Sequence, residues 1–311
     1  MNDALGTTAL TPFLGKIQYA WDSTSLGWLK ECPRKYYYSM IVGWRPKTES
    51  VNLIFGSWYH QALELYDKAR ASGIDHEEAL LDAVHFCLKA TWINGRPWVS
   101  DHNSKTRETL IRSVVWYLDN FGANDPAKTV VLADGRPAVE LSFKLNLDWG
   151  PTPDQPYILC GHLDKLVEYA SGIYDLDRKT TSTTLTPSYF DQFDPDNQMS
   201  LYSFASKVVF KTDLKGVIID AAQIAVGFTR FARGFTYRTE TQIEEWLRDS
   251  RYWFNVQAAC AKEDYYYMND KSCHKYGGCH FRGICSKSPE VRDAFLKSDF
   301  EIAKWNPMEP R

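Results

Sequence analysis

The spacing of apolar residues changes character near residue 129. Before that point the repeat is helical. Residues 51–72 carry Ile54, Trp58, Ala62, Leu65 and Ala69 at steps of three to four, which places them along one helix face. Gly73 is well placed to end that helix. Residues 75–95 and 104–122 repeat the pattern; Gly95-Arg96-Pro97 breaks the first run, and Gly122 through Pro126 ends the second. Asp22-Ser23-Thr24-Ser25 offers N-cap oxygens for a short helix through Leu26, Trp28 and Leu29. That helix should stop near Cys32-Pro33, because proline disfavours helix at the preceding residue. Residues 1–22 read as irregular. Beyond 129 the period shortens to two and β-branched residues rise, so 130–132, 138–147, 157–169 and 173–179 read as strands. A helix over 196–211 follows, then strands at 217–228 and 234–238 and a long helix over 239–263. This order predicts a mixed α/β core, with a central sheet flanked by helices. Along the chain lie a helical N-terminal region (1–128), the core (129–240) and a C-terminal helix with a Cys-rich segment (241–311), read as parts of one continuous domain.

Composition narrows the functional classes. The 311 residues are 44% hydrophobic and 24% charged, enough for a sizeable core and unlike a disordered or low-complexity chain. No apolar run is long enough for a transmembrane helix, and the N-terminus lacks the basic and apolar regions of a signal peptide. With 36 Lys+Arg against 39 Asp+Glu, the net charge of −3 argues against coating DNA through bulk charge. Contact with DNA would need a local basic groove or a bound metal. Seven cysteines, an odd number without a secretion signal, fit a reduced cytoplasm better than a disulfide framework.

The most informative stretch runs from Gly161-His162-Leu163-Asp164 to Asp175-Leu176-Asp177-Arg178-Lys179-Thr180. Two strand-like runs are joined by Ala170-Ser171-Gly172. If the turn centres on Ala170-Ser171, Asp164 falls opposite Asp177, with Cβ atoms about 5 Å apart. Lys179 then projects from the same face. Opposed carboxylates destabilise a sheet unless something compensates, and a divalent cation such as Mg²⁺ or Mn²⁺ is a natural compensator. Lys179 beside such an ion suits phosphodiester hydrolysis. Asp175 shares the parity of Asp177 and is a competing ligand. A solvated hairpin with ordinary surface acids is the other reading of the same spacing.

G-H-L-D, a short hairpin and D-L-D-R-K-T-T resemble the RecB-like branch of the PD-(D/E)XK nuclease superfamily. The resemblance matches Asp164 and Asp177 to its two acids and Lys179 to its lysine. Leu163 stands where the superfamily name has proline. Gly56 to His60 resembles the branch's G-x-x-x-H helix motif, which implies His60 as a metal ligand; Glu64, one turn on, reads equally as an acid that orients His60 or as a solvated surface acid. Glu140 matches an acid on the strand before the first Asp, which implies a place at the metal or a role holding a basic neighbour. Gln198 to Tyr202 matches Q-x-x-x-Y, implying that both face the catalytic centre. Cys273, Cys279 and Cys285 stand at C-x5-C-x5-C, and Cys32 lies far upstream. One N-terminal and three C-terminal cysteines are the arrangement of iron–sulfur members, such as the AddB nuclease domain and the CRISPR-associated spacer-acquisition nuclease. The resemblance therefore implies a [4Fe–4S] cluster, although many members have C-x2-C-x5-C at the C-terminal end. Zn²⁺ on four cysteines is the alternative, with His274 or His280 as substitutes in a mixed site. Cys87, Cys160 and Cys260 read as core residues.

The resemblance implies a restriction-endonuclease-like core and an exonuclease acting on DNA ends or single strands, in recombination, repair or phage DNA metabolism. No Walker A pattern is present, so any helicase partner is a separate chain. Arg34 and Lys35, and Arg230 and Arg233 among Phe228, Phe231 and Phe235, are candidate DNA contacts, with a hairpin presenting a solvated face as the favoured reading of the second group. Two competing classes are a non-cutting DNA-binding or assembly module and a hydrolase acting on another phosphate ester.

Overall fold

The computed structural model describes residues 12–150, 152, 155–275 and 278–309. In chain order the main elements are β1 (Ala20–Trp21), α1 (Ser23–Glu31), α2 (Val51–Ala71), α3 (His76–Ala90), α4 (Arg107–Phe121), β2 (Lys128–Thr129), β3 (Val139–Asn146), β4 (Ile158–Tyr169), β5 (Gly172–Thr181), α5 (Asn197–Val208), β6 (Leu214–Ile224), β7 (Thr229–Thr236) and α6 (Glu240–Glu263). They group into two compact units. One comprises residues 1–48, 143–161 and 244–311, the other 49–142 and 162–243. Cys32, Cys273, Cys279 and Cys285 fall in the first. His60, Glu140, Asp164, Asp177, Lys179, Gln198 and Tyr202 all fall in the second.

In the first unit, α1 begins where its cap chemistry predicts. Asp22 accepts the Ser25 N–H at 2.9 Å, and the Ser25 hydroxyl accepts the Asp22 N–H at 3.2 Å. Cys32 breaks the helix with φ −163°. The chain then turns helical again over Pro33–Tyr36 and widens into a π-helical stretch, Tyr37–Val42, that ends at Gly43 with φ +93°. The apolar pattern gave no sign of this continuation. The expectation of irregular structure over 1–22 is also corrected in part. Phe13–Leu14 pairs with Ile17–Gln18, and β1 pairs in parallel with the first residues of β4; residues 1–11 lie outside those described.

In the second unit, α2 ends at Ala71, two residues before Gly73, whose φ of +89° is the left-handed geometry glycine accepts freely. Its buried face differs from the expected stripe. Phe55, Tyr59, Ala62, Leu63, Tyr66 and Asp67 are buried, whereas Leu65 is 42% exposed. The inward face is rotated by about one residue, roughly 100°. The large aromatics Phe55, Tyr59 and Tyr66 go inward, against the apolar faces of α3 and α4 and against Ala222 and Ile224 of β6. α4 carries a reciprocal capping pair of Thr106 and Thr109.

The sheet runs β7-β6-β5-β4, with β2 and β3 also pairing with β4. β4 and β5 are antiparallel, β5 and β6 parallel, and β6 and β7 antiparallel, so the sheet is mixed. The crossover from β5 to β6 contains α5, as a parallel connection requires. The hairpin turns at Ala170 and Ser171, and Tyr169 faces Gly172 as expected. Both turn residues hold positive φ (+46° and +60°), the handedness favoured in two-residue hairpins, yet neither is the asparagine or glycine that adopts it cheaply. Replacing Ala170-Ser171 with Asn-Gly is therefore expected to stabilise the protein by about 0.5–2 kcal/mol, read by urea denaturation. No gain would contradict this account of the turn.

Beneath α2 and α4 lies a buried row of charges. Arg178 on β5 pairs laterally with Asp220 on β6, which pairs with Arg233 on β7. Asp67 of α2 takes Arg178 NH2 at 2.6 Å and Lys165 Nζ at 3.1 Å. Asp125 takes both guanidinium nitrogens of Arg233, at 2.7 and 2.6 Å, and Tyr117 donates to Asp220. Three cations (Lys165, Arg178, Arg233) thus balance three carboxylates (Asp67, Asp125, Asp220). Such balance is what makes buried charge tolerable.

Candidate active site

The site grows from strand alternation. Asp164 and Asp177 point to one face of the hairpin. Lys165 and Arg178, the next residue in each case, point to the other and meet Asp67. The ladder pairs Asp175 with Leu166 and Leu176 with Lys165. One step further, Asp164 bonds through its side chain instead: its Oδ2 accepts the Arg178 N–H at 2.8 Å. The ladder pairing ends one step short of Asp164 and Asp177, and a carboxylate takes the place of the next ladder bond.

His60, in the third turn of α2, brings its Nδ1 to 3.3 Å from Asp164 Oδ2. Lys179 lies on the face of Asp177 and forms an ion pair with it. The ion pair is made through Asp177 Oδ2. Asp196 starts α5 by accepting the N–H groups of Gln198 and Met199 at 2.8 and 3.0 Å. This places Gln198 in the first turn, where its Oε1 takes Lys179 Nζ at 3.0 Å and its Nε2 donates to the Tyr202 hydroxyl at 2.8 Å. The chain from Asp177 through Lys179 and Gln198 to Tyr202 is continuous.

Electrostatics separates the two acids. Burial alone would push the Asp164 carboxyl up. His60, its hydrogen bond, Lys179 and the Arg178 N–H outweigh that and hold it well below the usual range. Asp177 is pushed up to about 6 by burial, opposed by Lys179 and reinforced by the charge of Asp164. Burial works against the Lys179 ammonium, yet Asp177 and Asp164 keep it charged, its titration moved upward. Asp175 is fully buried, and neither of its carboxyl oxygens has a hydrogen-bond partner. Burial, with Asp177 and Asp164 nearby, drives its carboxyl far upward and favours the neutral acid. The competing-ligand reading of Asp175 would require that acid to ionise.

The remaining candidates are placed as follows. Glu140 lies on β3, beside the strand carrying Asp164, half-buried and with φ at +51°. A non-glycine residue in that region costs about 1–2 kcal/mol. Glu64 pairs with Lys68 rather than with His60. Two sets of proposed DNA contacts are engaged internally. Arg34 bonds the Tyr266 carbonyl at 3.1 Å and Lys35 bonds Glu31 at 2.7 Å, while Arg233 belongs to the buried charge row. Arg230 is exposed, with its guanidinium over the Phe228 ring.

Whether the donors fit a divalent cation rests on their chemistry. Two carboxylates and an imidazole converge, with one lysine to offset them. Among the described residues no three His, Cys, Asp or Glu side chains close into a complete ligand set. Magnesium-type ions commonly bind through one or two carboxylates and complete their sphere with water and phosphate oxygens, so the donor set fits.

All seven cysteines are free thiols, six of them in the first unit and Cys87 in the second. Burial pushes up the thiols of Cys279 and Cys285. Cys32 and Cys273 act on the first, and Cys279 and Cys32 on the second, so Cys279 lies within electrostatic reach of the other three. The Asn269 N–H donates to Cys32 Sγ at 3.4 Å, as amides do toward metal-binding thiolates. The thiols do not close into a complete ligand set, but their type and grouping fit a thiolate-held group. Cys87, Cys160 and Cys260 are core residues as expected.

A comparison with family models decides the classification: the model of the PD-(D/E)XK nuclease superfamily matches residues 23–286. The chain belongs to this superfamily. It is therefore a nuclease-type hydrolase by family, and the mixed sheet flanked by helices is the restriction-endonuclease-like fold expected of it. No match was found among curated proteins. A solved structure, described as that of SSO0001, is 14% identical over 75% of this chain and 76% of its own, with a TM-score of 0.31. No helix among the described residues is long and apolar enough to cross a membrane.

Sequence reasoning missed Asp67, Lys165, Arg178, Asp220 and Asp125. A signal was available. A lysine and an arginine each directly follow a candidate acid on an otherwise apolar strand, and Asp67 sits four residues after Leu63 on the buried stripe.

Proposed function

We propose that the chain is a Mg²⁺- or Mn²⁺-dependent deoxyribonuclease that hydrolyses phosphodiester bonds at DNA ends or in single strands. The observation that carries this reading is the single linked group of His60, Asp164, Asp177 and Lys179, in a chain of this superfamily. His60, Asp164 and Asp177 would hold the cation, with Glu140 as a further acid on the neighbouring strand. Such an ion would polarise the phosphate and make a water more acidic. Lys179 holds its ammonium where it can position that water or stabilise charge on a phosphate oxygen. Gln198 fixes the lysine, and Tyr202 fixes Gln198.

Proton and cation compete for Asp177, whose carboxyl titrates at about 6. It is protonated below that value and ionised above it. Mn²⁺ affinity is therefore expected to fall about tenfold per pH unit below 6. Titration calorimetry from pH 5 to 7.5 reads this directly, and a flat profile would contradict the ligand role of Asp177.

Cys32, Cys273, Cys279 and Cys285 are proposed to hold a [4Fe–4S] cluster, with Zn²⁺ as the other occupant of four thiolates. Anaerobic purification with iron, sulfide and zinc analysis separates the two. The proposed setting is the reducing cytoplasm of a bacterial or phage-infected cell, in recombination or repair, with a helicase as a separate partner. End-labelled linear and closed circular DNA, each single- and double-stranded, tests the reading. Release of mononucleotides or short products from linear DNA alone supports exonuclease action. Nicking of circles points to an endonuclease. DNA binding without any cutting by metal-loaded protein points to a non-cutting module.

A further inference from the structure

We propose that Lys105 forms a phosphate subsite, flanking the cleavage position, for the backbone of the bound DNA; this rests on the nuclease reading above. Lys105 is 1% exposed, and its ammonium lies 4.6 Å from the centroid of the Phe55 ring. Every other buried cation near the catalytic face has an anion. Lys165 and Arg178 share Asp67, Lys179 has Asp177, and Arg233 has Asp125 and Asp220. Among the described residues no carboxylate pairs with Lys105, and burial pushes its amine down to about 8 with nothing to offset it. An ammonium held this way is costly, and a methionine would fill the space more cheaply. A ligand bringing negative charge reverses that cost.

The location selects the ligand. Phe55 lies five residues before His60 on α2, about 7.5 Å along the helix axis. Gly56 brings the same turn against Thr180, the residue after Lys179; a Cβ added at Gly56 would meet Thr180 Oγ1 at 3.5 Å. The Ser104 hydroxyl lies 3.4 Å from that of Ser182, just past the end of β5. Ser104, the residue before Lys105, therefore meets Ser182 where β5 ends. Lysine and serine are common phosphate contacts in DNA complexes.

The test is the binding of a fluorescein-labelled single-stranded oligonucleotide in EDTA, from 50 to 300 mM NaCl, by wild type and Lys105→Met. The variant is expected to fold, to bind about tenfold more weakly, and to show a salt slope shallower by about 0.7, the loss of one phosphate contact. Equal affinity and slope in the folded variant would overturn the proposal. Lys105→Gln is read the same way if Lys105→Met does not fold. Inorganic phosphate provides a separate arm. Thermal stabilisation of wild type by phosphate, lost in the variant, alongside the DNA effect supports the subsite. Stabilisation by phosphate in a protein that binds no DNA would overturn both the DNA assignment and the nuclease reading, and leave a free-phosphate site. A wild type that binds DNA with no contribution from Lys105 overturns the subsite alone.

Discussion

Lys179→Ala is expected to lower DNA cleavage by about 10²- to 10⁴-fold while leaving the fold and Mn²⁺ binding in place. The lysine is held from two sides, by Asp177 and by Gln198 Oε1 at 3.0 Å, so its ammonium has a defined place near the acids. Removing it deletes the positive charge that competes with a cation for Asp164 and Asp177. The metal should therefore bind at least as well, and the loss should fall on kcat. Asp177→Asn behaves differently, because it removes a ligand: activity and Mn²⁺ affinity should fall together. Asp175→Asn is the control from the same strand face. Burial already favours its neutral acid, so the amide changes little charge, and activity should stay within about tenfold of wild type. If Asp175→Asn were as inactive as Asp177→Asn, the assignment of the second acid would have to move by two residues. Cleavage and calorimetric Mn²⁺ titration on the three variants distinguish these cases.

The second large effect concerns stability. Asp67→Ala is expected to cost about 3–5 kcal/mol, because it leaves Lys165 and Arg178 buried without their shared anion. Burial raises the Asp67 carboxyl, but Arg178 and Lys165 outweigh it and hold it below its usual range, so the pair is ionised at neutral pH. The combined variant Asp67→Leu, Lys165→Met and Arg178→Met replaces charge by apolar volume and should recover most of the loss. Urea denaturation of both proteins measures the difference. A cost below about 1 kcal/mol for Asp67→Ala would show that Asp220 and water already satisfy the two cations. The same triad ties the helix of His60 to the hairpin of Asp164 and Asp177, so destabilised variants should also bind Mn²⁺ more weakly.

Much of the site was legible because local rules set it. The parity of Asp177 and Lys179, the Ala170-Ser171 turn and the cap at Asp22 each depend on residues close in sequence, and each is found where the pattern places it. The motif pointed Gln198 toward the catalytic centre but not to Lys179 itself, since a spacing of four fixes a helix face and not what that face meets. The buried face of α2 was misread because apolar periodicity treats Leu65 and Tyr66 alike, whereas packing against α3 and α4 takes the larger aromatic surface. Arg233, read as a DNA contact or as part of a solvated hairpin face, was not placed in the buried charge row because Asp125, which takes both its terminal nitrogens, lies far away in sequence. Long-range charge pairing leaves no periodic trace, and both that error and the omission of Asp67 come from it. The π-helical continuation after Cys32 is similar: Pro33 ends one helix and also suits the first turn of the next.

The most direct test of the central claim is cleavage of end-labelled single- and double-stranded DNA by anaerobically purified protein, with Mn²⁺, Mg²⁺ or EDTA, beside Lys179→Ala and Asp164→Ala. Cutting that requires the divalent ion and disappears in both variants, with DNA binding kept, is the expected result. Cutting that survives in EDTA, or is unchanged in both variants, would contradict the assignment of His60, Asp164, Asp177 and Lys179 as the catalytic centre.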